Sequence, residues 1–209
     1  QGGCGSCWAF GGSESLSDRF CIAGNWSKNV PFSPQYMVSC FKNLDGCDGG
    51  YAGLTWEDLA KQGTSSDECV PYQGIDTSCP AKCADGSAIK AYKPGKIYSE
   101  YVAFDPEATV KAIQRDLMKY GPQEACLWLF EDFIHYAGGV YQPNFATGLA
   151  GGHCTKLEGW GQDAKTNLPY WLVANSWGTK WGEEGRFRIL RGANTCGIED
   201  EVVSGIPIL

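Results

Sequence analysis

Cys7 carries the first sign of chemistry in the sequence, because it follows a glycine-rich turn and precedes a run that can be helical. A thiol at the N-terminus of a helix lies near the positive end of the helix dipole and near unpaired backbone N–H groups, and both lower its pKa. The resulting thiolate is a nucleophile that requires an acid–base partner. Cys7 is therefore a candidate catalytic nucleophile, and the rest of the chain must supply its partner.

Cys4 and Cys7 also form a C-x-x-C pair, which raises the alternatives of a redox motif or of half a zinc site. Redox pairs of this kind lie in a βαβ context, which the sequence pattern does not show. A zinc ion would need two more ligands at a suitable spacing. We therefore expect Cys4 to form a disulfide, and we expect the chain to use no metal and no other cofactor.

Two histidines could serve as the partner of the thiol, His135 and His153. His135 lies among bulky residues that leave no space around it, so a structural role is favoured. His153 follows Gly151 and Gly152 at the start of an apolar strand, where the backbone can approach closely and the imidazole can face a cleft. His153 is therefore the candidate general acid and base.

Asn175 ends an apolar strand and is followed by Ser176, Trp177 and Gly178. An asparagine at a strand end can accept the imidazole N–H and so fix the tautomer and orientation of the ring. Trp177 can cover that hydrogen bond and strengthen it by lowering the local dielectric constant. Alone the motif is a turn with an aromatic plug, and it gains meaning beside Cys7 and His153.

Helices are expected in the first part of the chain, where apolar residues recur at helical spacing. The first covers residues 7–22, with its polar residues Ser13, Asp18 and Arg19 able to face water. Caps and apolar spacing predict three more: from Ser33-Pro34 to Cys40, from Tyr51 to Gln62, and from Asp105-Pro106 to Gly121.

The second part of the chain is β-rich, with strands expected at 123–130, 153–160, 170–174 and 187–190. Residues 64–96 are loop-like and rich in Pro, Gly, Ser and Cys, so disulfides rather than a core would have to order them. The pattern predicts an α+β fold with two lobes and a cleft between them.

The amino-acid composition indicates which binding partners and which cellular compartment to expect. The chain has 209 residues, a net charge of −7 and a sequence pI near 4.8, which argues against nucleic acid and anionic membranes as partners. We find neither a membrane-spanning run nor a signal peptide pattern. Eleven cysteines indicate the secretory route, and the odd count leaves at least one thiol without an intramolecular partner. The sequon at Asn25 is a candidate glycosylation site that fits this route.

The motifs in residues 1–10, Gly151–His153 and Asn175–Gly178 together resemble the papain family of cysteine proteases. Further stretches resemble the cathepsin B-like group of that family: 17–19, 47–51, 138–142, 170–177 and 196–203. The resemblance covers essentially the whole chain. It implies a papain-like fold with a helical left lobe, 1–88, that carries the nucleophile. A β-barrel-like right lobe, 89–209, would carry the histidine and asparagine, with its C-terminal segment returning towards the left lobe.

The resemblance also implies catalytic roles. Cys7 would be the nucleophile, held as a thiolate beside protonated His153, and Asn175 would orient His153. The side-chain amide of Gln1 and the backbone N–H of Cys7 would form the oxyanion hole. Polypeptide substrates would pair in extended form with the backbone edge at Gly49-Gly50.

The resemblance places further residues in the substrate site. Gly152 and Trp177 would border the substrate. Glu201 matches an acidic residue at the base of the pocket for the P2 side chain, where it would favour arginine; the alternative is a solvated acid beside other acids. Cys126 and Cys154 match small residues lining the same pocket, and they would be small apolar wall residues or, as the less favoured alternative, a fourth disulfide.

Three disulfides are implied by the resemblance: Cys4–Cys47, Cys40–Cys79 and Cys69–Cys83. Cys21 matches a position whose partner lies upstream of the catalytic stretch in relatives, and Cys196 has no assigned partner. Only nine residues, 70–78, separate Cys69 from Cys79, and none is histidine. The group's occluding loop binds the C-terminal carboxylate of the substrate through a histidine pair, so that carboxylate site cannot exist here.

The sequence therefore predicts a cysteine endopeptidase with an open primed side, accepting arginine or hydrophobic residues at P2. The alternatives are a dipeptidyl carboxypeptidase and an inactive homologue that acts as a binding module. The resemblance implies an inhibitory propeptide, cystatin-like inhibitors and a monomer as the molecular context. It implies a lysosome-like vacuole or secretion as the location.

Overall fold

The computed structural model describes residues 1–27 and 29–209. Its helices are α1 (Cys7–Ala23), α2 (Pro34–Cys40), α3 (Ala52–Lys61) and α4 (Pro106–Tyr120), so all four predicted helices are confirmed with ends within two residues. Local capping explains two of the starts: Ser33 Oγ accepts the N–H of Tyr36, and the side chain of Asp105 accepts the N–H of Ala108. A proline at the first helical position follows each of these caps.

Seven strands form one sheet: β1 (Pro94–Ser99), β2 (Gln123–Phe130), β3 (Val140–Tyr141), β4 (Leu149–Gln162), β5 (Pro169–Ala174), β6 (Arg186–Leu190) and β7 (Glu201–Pro207). Their order is β1-β7-β2-β4-β5-β6-β3, and all neighbours are antiparallel except β3 and β6. The four predicted strands are confirmed, whereas β1, β3 and β7 were missed. Among the described residues no pairing joins the edge strands β1 and β3, so the sheet is open and the expected closed barrel is not formed.

Two hydrophobic clusters lie in the molecule. The first contains Trp8 and Leu16 of α1 with residues of α2, α3 and the sheet, and the second contains residues of α4 and the sheet, among them the fully buried Trp171. Helix α1 packs against α2 and α3 and also against β2, β4 and β7. It is therefore covered on more than one side, which a pattern with a single apolar stripe does not predict.

The expectation that Arg19 faces water is wrong, because α1 is covered on the side that carries it. Its side chain is fully buried and forms an ion pair with Asp116 of α4. It also donates to the carbonyl oxygens of Gly121, Pro122 and Gly205. Ser13 on the same helix is buried as well. A buried guanidinium needs this many acceptors to replace its water, so α1 is fixed against α4 and the sheet by one side chain.

Across the described residues, no helix is both long enough and apolar enough to cross a membrane.

Candidate active site

A cavity of about 520 Å³ brings together most of the residues singled out in the sequence. Its lining includes ten of them: Gln1, Cys7, Gly49, Gly50, Cys126, Gly152, His153, Cys154, Trp177 and Glu201. Asn175 is bonded to His153, which lines the cavity. His135 is not among the lining residues; it lies exposed at the end of the 3₁₀ turn Glu131–His135.

Cys7 lies at the first position of α1, directly after Ser6. The turn before it is held to the loop at Cys47 by two bonds, the Cys4–Cys47 disulfide and a hydrogen bond of 2.7 Å from the N–H of Gly5 to the carbonyl oxygen of Cys47. A Cβ on Gly5 would lie only 2.4 Å from that oxygen, so the close approach requires glycine. The sulfur of Cys7 is thereby delivered to the cavity by a turn with little freedom.

His153 is oriented by Asn175. The Oδ1 atom of Asn175 lies 2.7 Å from Nε2 of His153 and also accepts the N–H of Ser176 at 2.8 Å. Because a backbone N–H can only donate, the shared atom must be the amide oxygen, and Nε2 must carry the proton. In the neutral ring Nδ1 is then the nitrogen without a proton, ready to accept one.

The rest of the strand end supports this arrangement. The N–H of Asn175 donates to the carbonyl oxygen of Gly185 at 2.9 Å, which fixes the backbone one residue beyond β5. The ring of Trp177 lies over the imidazole of His153 with 5.0 Å between the ring centres. His153 is only 5% exposed, so its hydrogen bond to Asn175 is shielded from water.

Burial dominates the pKa of both reactive groups. It raises the pKa of the Cys7 thiol, against the opposing effect of hydrogen bonds from the backbone N–H groups of Cys154 and Trp8. The helix-terminal N–H groups lower the pKa of Cys7 as expected, but burial outweighs them, so the expected net depression of the pKa is wrong for the thiol taken alone. Burial also lowers the pKa of His153 to about 4, although the bond to Asn175 opposes this change. Each group alone is therefore favoured in its neutral form.

Gln1 lies between the turn at Cys4 and the turn that follows Asn175. Its side-chain Nε2 donates to the carbonyl oxygen of Cys4 at 3.0 Å, and its Oε1 accepts the hydroxyl of Ser176 at 2.5 Å. Its carbonyl oxygen accepts the hydroxyl of Tyr72. The amide is therefore held beside the cavity by contacts to both the cysteine-bearing and the asparagine-bearing segments.

The backbone at Gly49 and Gly50 forms one edge of the cavity. Gly49 has a φ of 128°, which side-chain-bearing residues rarely adopt. A Cβ on Gly50 would lie 2.6 Å from the indole of Trp8, which is fully buried and donates its Nε1–H to Gly46. The extended edge is therefore set by glycine packed against a buried ring.

The structure joins Cys4 to Cys47, Cys40 to Cys79 and Cys69 to Cys83, the three pairs implied by the resemblance. It also joins Cys126 to Cys154, so the favoured expectation of two separate apolar wall residues is replaced by a fourth disulfide. The sheet register explains the bond, because these two residues are direct partners on β2 and β4. In the described part of the chain, Cys7, Cys21 and Cys196 remain as free thiols.

Glu201 lies beside this disulfide, because Cys126 is paired with Cys154 on one side and with Glu201 on the other. Its Oε1 accepts the N–H of Gly53, in the first turn of α3, at 3.4 Å. The carboxylate therefore lines the cavity, as required of a pocket residue, rather than lying free in solvent.

Sequence reasoning missed three residues in this region. Glu124 lies two positions before Cys126 on β2, is fully buried, and has two carboxyl oxygens without hydrogen-bond partners among the described residues. Burial and the charge of Glu201 raise its pKa well above the ordinary value, which favours the neutral acid. Trp128 and Asp200 also line the cavity. The period-two alternation of β2 places Glu124, Cys126 and Trp128 on one face and could have indicated them.

A thiol at a helix start, an imidazole with its proton on Nε2 and an amide bonded to that proton are the arrangement expected of a cysteine peptidase. The family model described as papain family cysteine protease matches residues 1–206. The chain belongs to the papain family of cysteine proteases, and within it to the cathepsin B-like proteins.

Relatives and a solved structure agree with this family. The chain is 44% identical to Cathepsin B-like CP3 of Giardia intestinalis, over 98% of this chain and 68% of that protein. It is 41% identical to Cathepsin B-like cysteine proteinase 6 of Caenorhabditis elegans, over 100% of this chain and 62% of that protein. The structure of proCathepsin B S9 from Trypanosoma congolense matches with a TM-score of 0.89 and 31% identity, covering 99% of this chain and 70% of that one. The papain-like α+β fold follows from these matches.

Proposed function

We propose that the chain is a cysteine endopeptidase that cleaves peptide bonds with Cys7 as nucleophile, His153 as acid and base, and Asn175 as the orienting residue. The observation that carries the proposal is the shared Oδ1 atom of Asn175, since its two donors leave Nδ1 of His153 as the proton acceptor. His153 and Cys7 line one cavity, and the backbone N–H of Cys154, next to His153, lowers the pKa of the Cys7 thiol.

The first step is proton transfer from sulfur to nitrogen. Burial penalises either charge alone, but a thiolate and an imidazolium side by side stabilise one another, so Cys7 and His153 ionise as a pair. The thiolate of Cys7 then attacks the scissile carbonyl carbon. The imidazolium of His153 gives its proton to the leaving amine, and a thioester to Cys7 remains.

Hydrolysis of the thioester completes the cycle. His153, now neutral, takes a proton from water, and the resulting hydroxide equivalent attacks the thioester carbonyl. The peptide acid departs, and the sulfur of Cys7 is released as the thiolate. The backbone N–H of Cys7 and the amide of Gln1 are the proposed donors to the oxyanion, an effect of about 3–4 kcal/mol for one such donor. In the resting state the Gln1 amide donates to Cys4, so this role requires that bond to be shared or exchanged.

The substrate would lie in extended form along Gly49 and Gly50, with Gly152 and Trp177 on the opposite side of the cavity. Its P2 side chain would enter the pocket formed by the Cys126–Cys154 disulfide and Glu201. The disulfide offers a small apolar wall that suits hydrophobic residues, and the carboxylate of Glu201 suits arginine. An Arg-Arg peptide should therefore lose more than a Phe-Arg peptide in Glu201→Gln, measured as kcat/KM.

Endopeptidase action is proposed because the segment between Cys69 and Cys79 is short and lacks histidine. A dipeptidyl carboxypeptidase needs a cationic group for the C-terminal carboxylate of its substrate, and no Lys or Arg is among the described residues that line the cavity. Release of C-terminal dipeptides at the rate of internal cleavage would contradict the proposal. An inactive homologue serving as a binding module is the second alternative, and the arrangement of Cys7, His153 and Asn175 does not favour it.

The molecular context follows the same proposal. We assign most of the first hydrophobic cluster to a left lobe, 1–88, and the second to a right lobe, 89–209. Cys126, Cys154 and Val203 of the right lobe complete the first cluster, and β7 contacts α1 and α3. A monomer that is restrained by a propeptide and by cystatin-like inhibitors is proposed, in a lysosome-like vacuole or outside the cell. Asn25, exposed in the turn after α1, is the proposed glycosylation site.

The test is a fluorogenic peptide assay with Cys7→Ala and the matched control Cys21→Ala. Cys7→Ala should lower kcat by about 10⁴-fold or more, because the covalent route is lost. Cys21→Ala should retain activity within about twofold, since surface changes away from a site have small effects. A thiol-directed epoxide should label wild-type Cys7 stoichiometrically. Equal labelling of all three free thiols together with unchanged cleavage in Cys7→Ala would contradict the assignment.

A further inference from the structure

Trp128 is an exposed aromatic residue in the lining of the cavity that contains Cys7 and His153, and the proposed cleavage reaction does not use it. It lies on β2, in the middle of the sheet, yet 57% of it is exposed. The residue two positions before it, Cys126, is 9% exposed, and Glu124, two further back, is fully buried. The exposure of this face of β2 thus increases from Glu124 to Trp128, and Trp128 is the most exposed residue of the strand.

Two glycines explain why the indole is open. The strand partner of Trp128 on β4 is Gly152, whose missing Cβ would lie 3.8 Å from Cζ3 of the ring. On the other side, a Cβ on Gly197 would lie 3.5 Å from Cδ1. Side chains at these two positions would cover the ring, whereas glycine leaves its π face available to a ligand. An open indole face attracts cations, and arginine more often than lysine.

Asp200 supplies a carboxylate at the edge of this ring. Its Oδ2 atom lies 3.3 Å from the same point, the position of a Cβ on Gly197. Oδ1 of Asp200 accepts from Asn194, and no hydrogen bond to Oδ2 exists among the described residues. The carboxylate therefore has free acceptor capacity next to the indole, and a guanidinium can stack on one while it bonds the other.

The surrounding charge supports a cationic ligand. The cavity is lined by four acids, Asp45, Asp48, Asp200 and Glu201. None of the lining residues in the described part of the chain is Lys or Arg, so no such side chain competes for the site. Glu201 lies one row deeper in the sheet than Trp128, beside Cys126 rather than beside Gly152. The two sites are adjacent but separate.

We propose that Trp128 and Asp200 form a second recognition site for an arginine side chain of the peptide substrate, additional to the pocket that contains Glu201. This proposal rests on the peptidase function proposed above and names its substrate class: peptides with two arginines on the non-primed side of the cleaved bond. Trp128 stacks on the guanidinium plane, and Asp200 accepts its N–H groups. Both are specificity-determining residues and take no part in bond cleavage.

The experiment is a fluorogenic tetrapeptide library varied separately at P1, P2, P3 and P4, assayed with wild type, Trp128→Ala, Trp128→Phe and Asp200→Asn. The preference for arginine over its neutral isostere citrulline should fall about five- to tenfold at one position other than P2 in Trp128→Ala. Trp128→Phe should lose less of this preference than Trp128→Ala, because a phenyl ring still attracts a cation, although more weakly than an indole does. Asp200→Asn should reduce the same preference about two- to fivefold. Trp26→Ala, an exposed tryptophan outside the cavity lining, is the matched control and should leave every preference unchanged.

The outcomes separate this proposal from the peptidase function. If the wild type cleaves the library in a Cys7-dependent way and Trp128→Ala alters no preference, or alters P2 alone, the second arginine site is overturned while the peptidase stands. If the wild type cleaves nothing, the peptidase function fails first. Thermal unfolding of each variant excludes a folding defect, and the exposed position of Trp128 predicts Tm values close to wild type.

Discussion

The cysteine-bearing half and the histidine-bearing half of the active site are built by different means. Around Cys7 the chain consists of helices joined by long loops, and three disulfides lie within residues 4–83. Around His153 and Asn175, strands β4 and β5 set positions by backbone hydrogen bonding in register. The first half is thus ordered by covalent crosslinks and the second by a sheet. The relative positions of Cys7, His153 and Asn175 therefore depend on disulfides in one half and on strand pairing in the other. Removing a disulfide and changing a residue on the sheet should have different effects.

The largest expected effect is at the junction of the two halves. Arg19→Met leaves Asp116 buried without its cation, which should lower the free energy of unfolding by about 3–5 kcal/mol. Urea unfolding measures this change. Lys111→Met, which removes the exposed pair with Glu107, is the control and should leave the free energy of unfolding nearly unchanged. Equal small losses in both variants would show that the Arg19 network does not join the halves.

The crosslinked half should be the more sensitive to loss of a disulfide. Cys4→Ser with Cys47→Ser opens a loop of 43 residues, and chain entropy predicts a loss of about 4 kcal/mol in unfolding free energy. Activity should fall at temperatures where the fold persists, because the turn at Gly5 then loses one of its two bonds to Cys47. The double variant Cys126→Ala with Cys154→Ala is the comparison, since β2 and β4 remain paired by hydrogen bonds. Its kcat is compared rather than kcat/KM, because this disulfide also lines the proposed P2 pocket, and a larger loss of kcat at low temperature in that variant would reverse the comparison.

The sheet half should respond through catalysis rather than stability. Asn175→Ala removes the acceptor of the Nε2 proton of His153, so the ring loses its fixed tautomer. We expect a fall of about 10- to 100-fold in kcat, equal to one hydrogen bond to a charged group, with KM little changed. Asn175→Gln retains an amide at a longer reach and tests whether position or chemistry matters. An unchanged kcat in Asn175→Ala would remove the orienting role.

The smallest expected effect is a pH dependence of stability at Glu100, on the border between β1 and α4. Burial raises its pKa to about 7 from the ordinary value of 4.5. A carboxyl with a raised folded-state pKa favours the fold below pH 4.5, and that contribution is lost as the pH rises through about 7. Because the group is half exposed, the change should stay under about 1 kcal/mol. Glu100→Gln should flatten the pH profile of Tm, whereas Glu107→Gln should not.

Sequence reasoning succeeded where local chemistry decides the outcome. The capped starts of α2 and α4 and the apolar runs of β2 and β5 were predicted within two residues, since caps and alternation act over short distances. It failed at β1 and β7, whose pairing is with distant parts of the chain. The burial of Arg19 was missed for the same reason, because its acceptors are supplied by α4, by the turn after it and by β7.

The candidate site divides in the same way. Cys7, His153 and Asn175 were identified from local motifs. The pKa values of Cys7 and His153 depend on burial in the fold, which a local motif does not show. The Cys126–Cys154 disulfide required the register of β2 and β4. The exposure of Trp128 could not be predicted without knowing that its two neighbours in the fold, Gly152 and Gly197, are both glycines. Sequence spacing therefore could not identify the residues whose properties depend on contacts with distant parts of the chain.

The acidic lining of the cavity also bears on how the enzyme releases what it makes. A peptide substrate presents a neutral amide at the cleaved position, but hydrolysis leaves a carboxylate on the N-terminal fragment. That new charge appears in a cavity with four acids and, among the described lining residues, no Lys or Arg. Charges within about 8 Å repel one another with little screening at physiological salt. The new carboxylate therefore weakens the binding of the fragment relative to the uncleaved peptide, while its arginines keep their proposed attraction to Asp200 and Glu201. We expect a fragment without arginine to inhibit more weakly than one with two arginines, and added salt to reduce that difference.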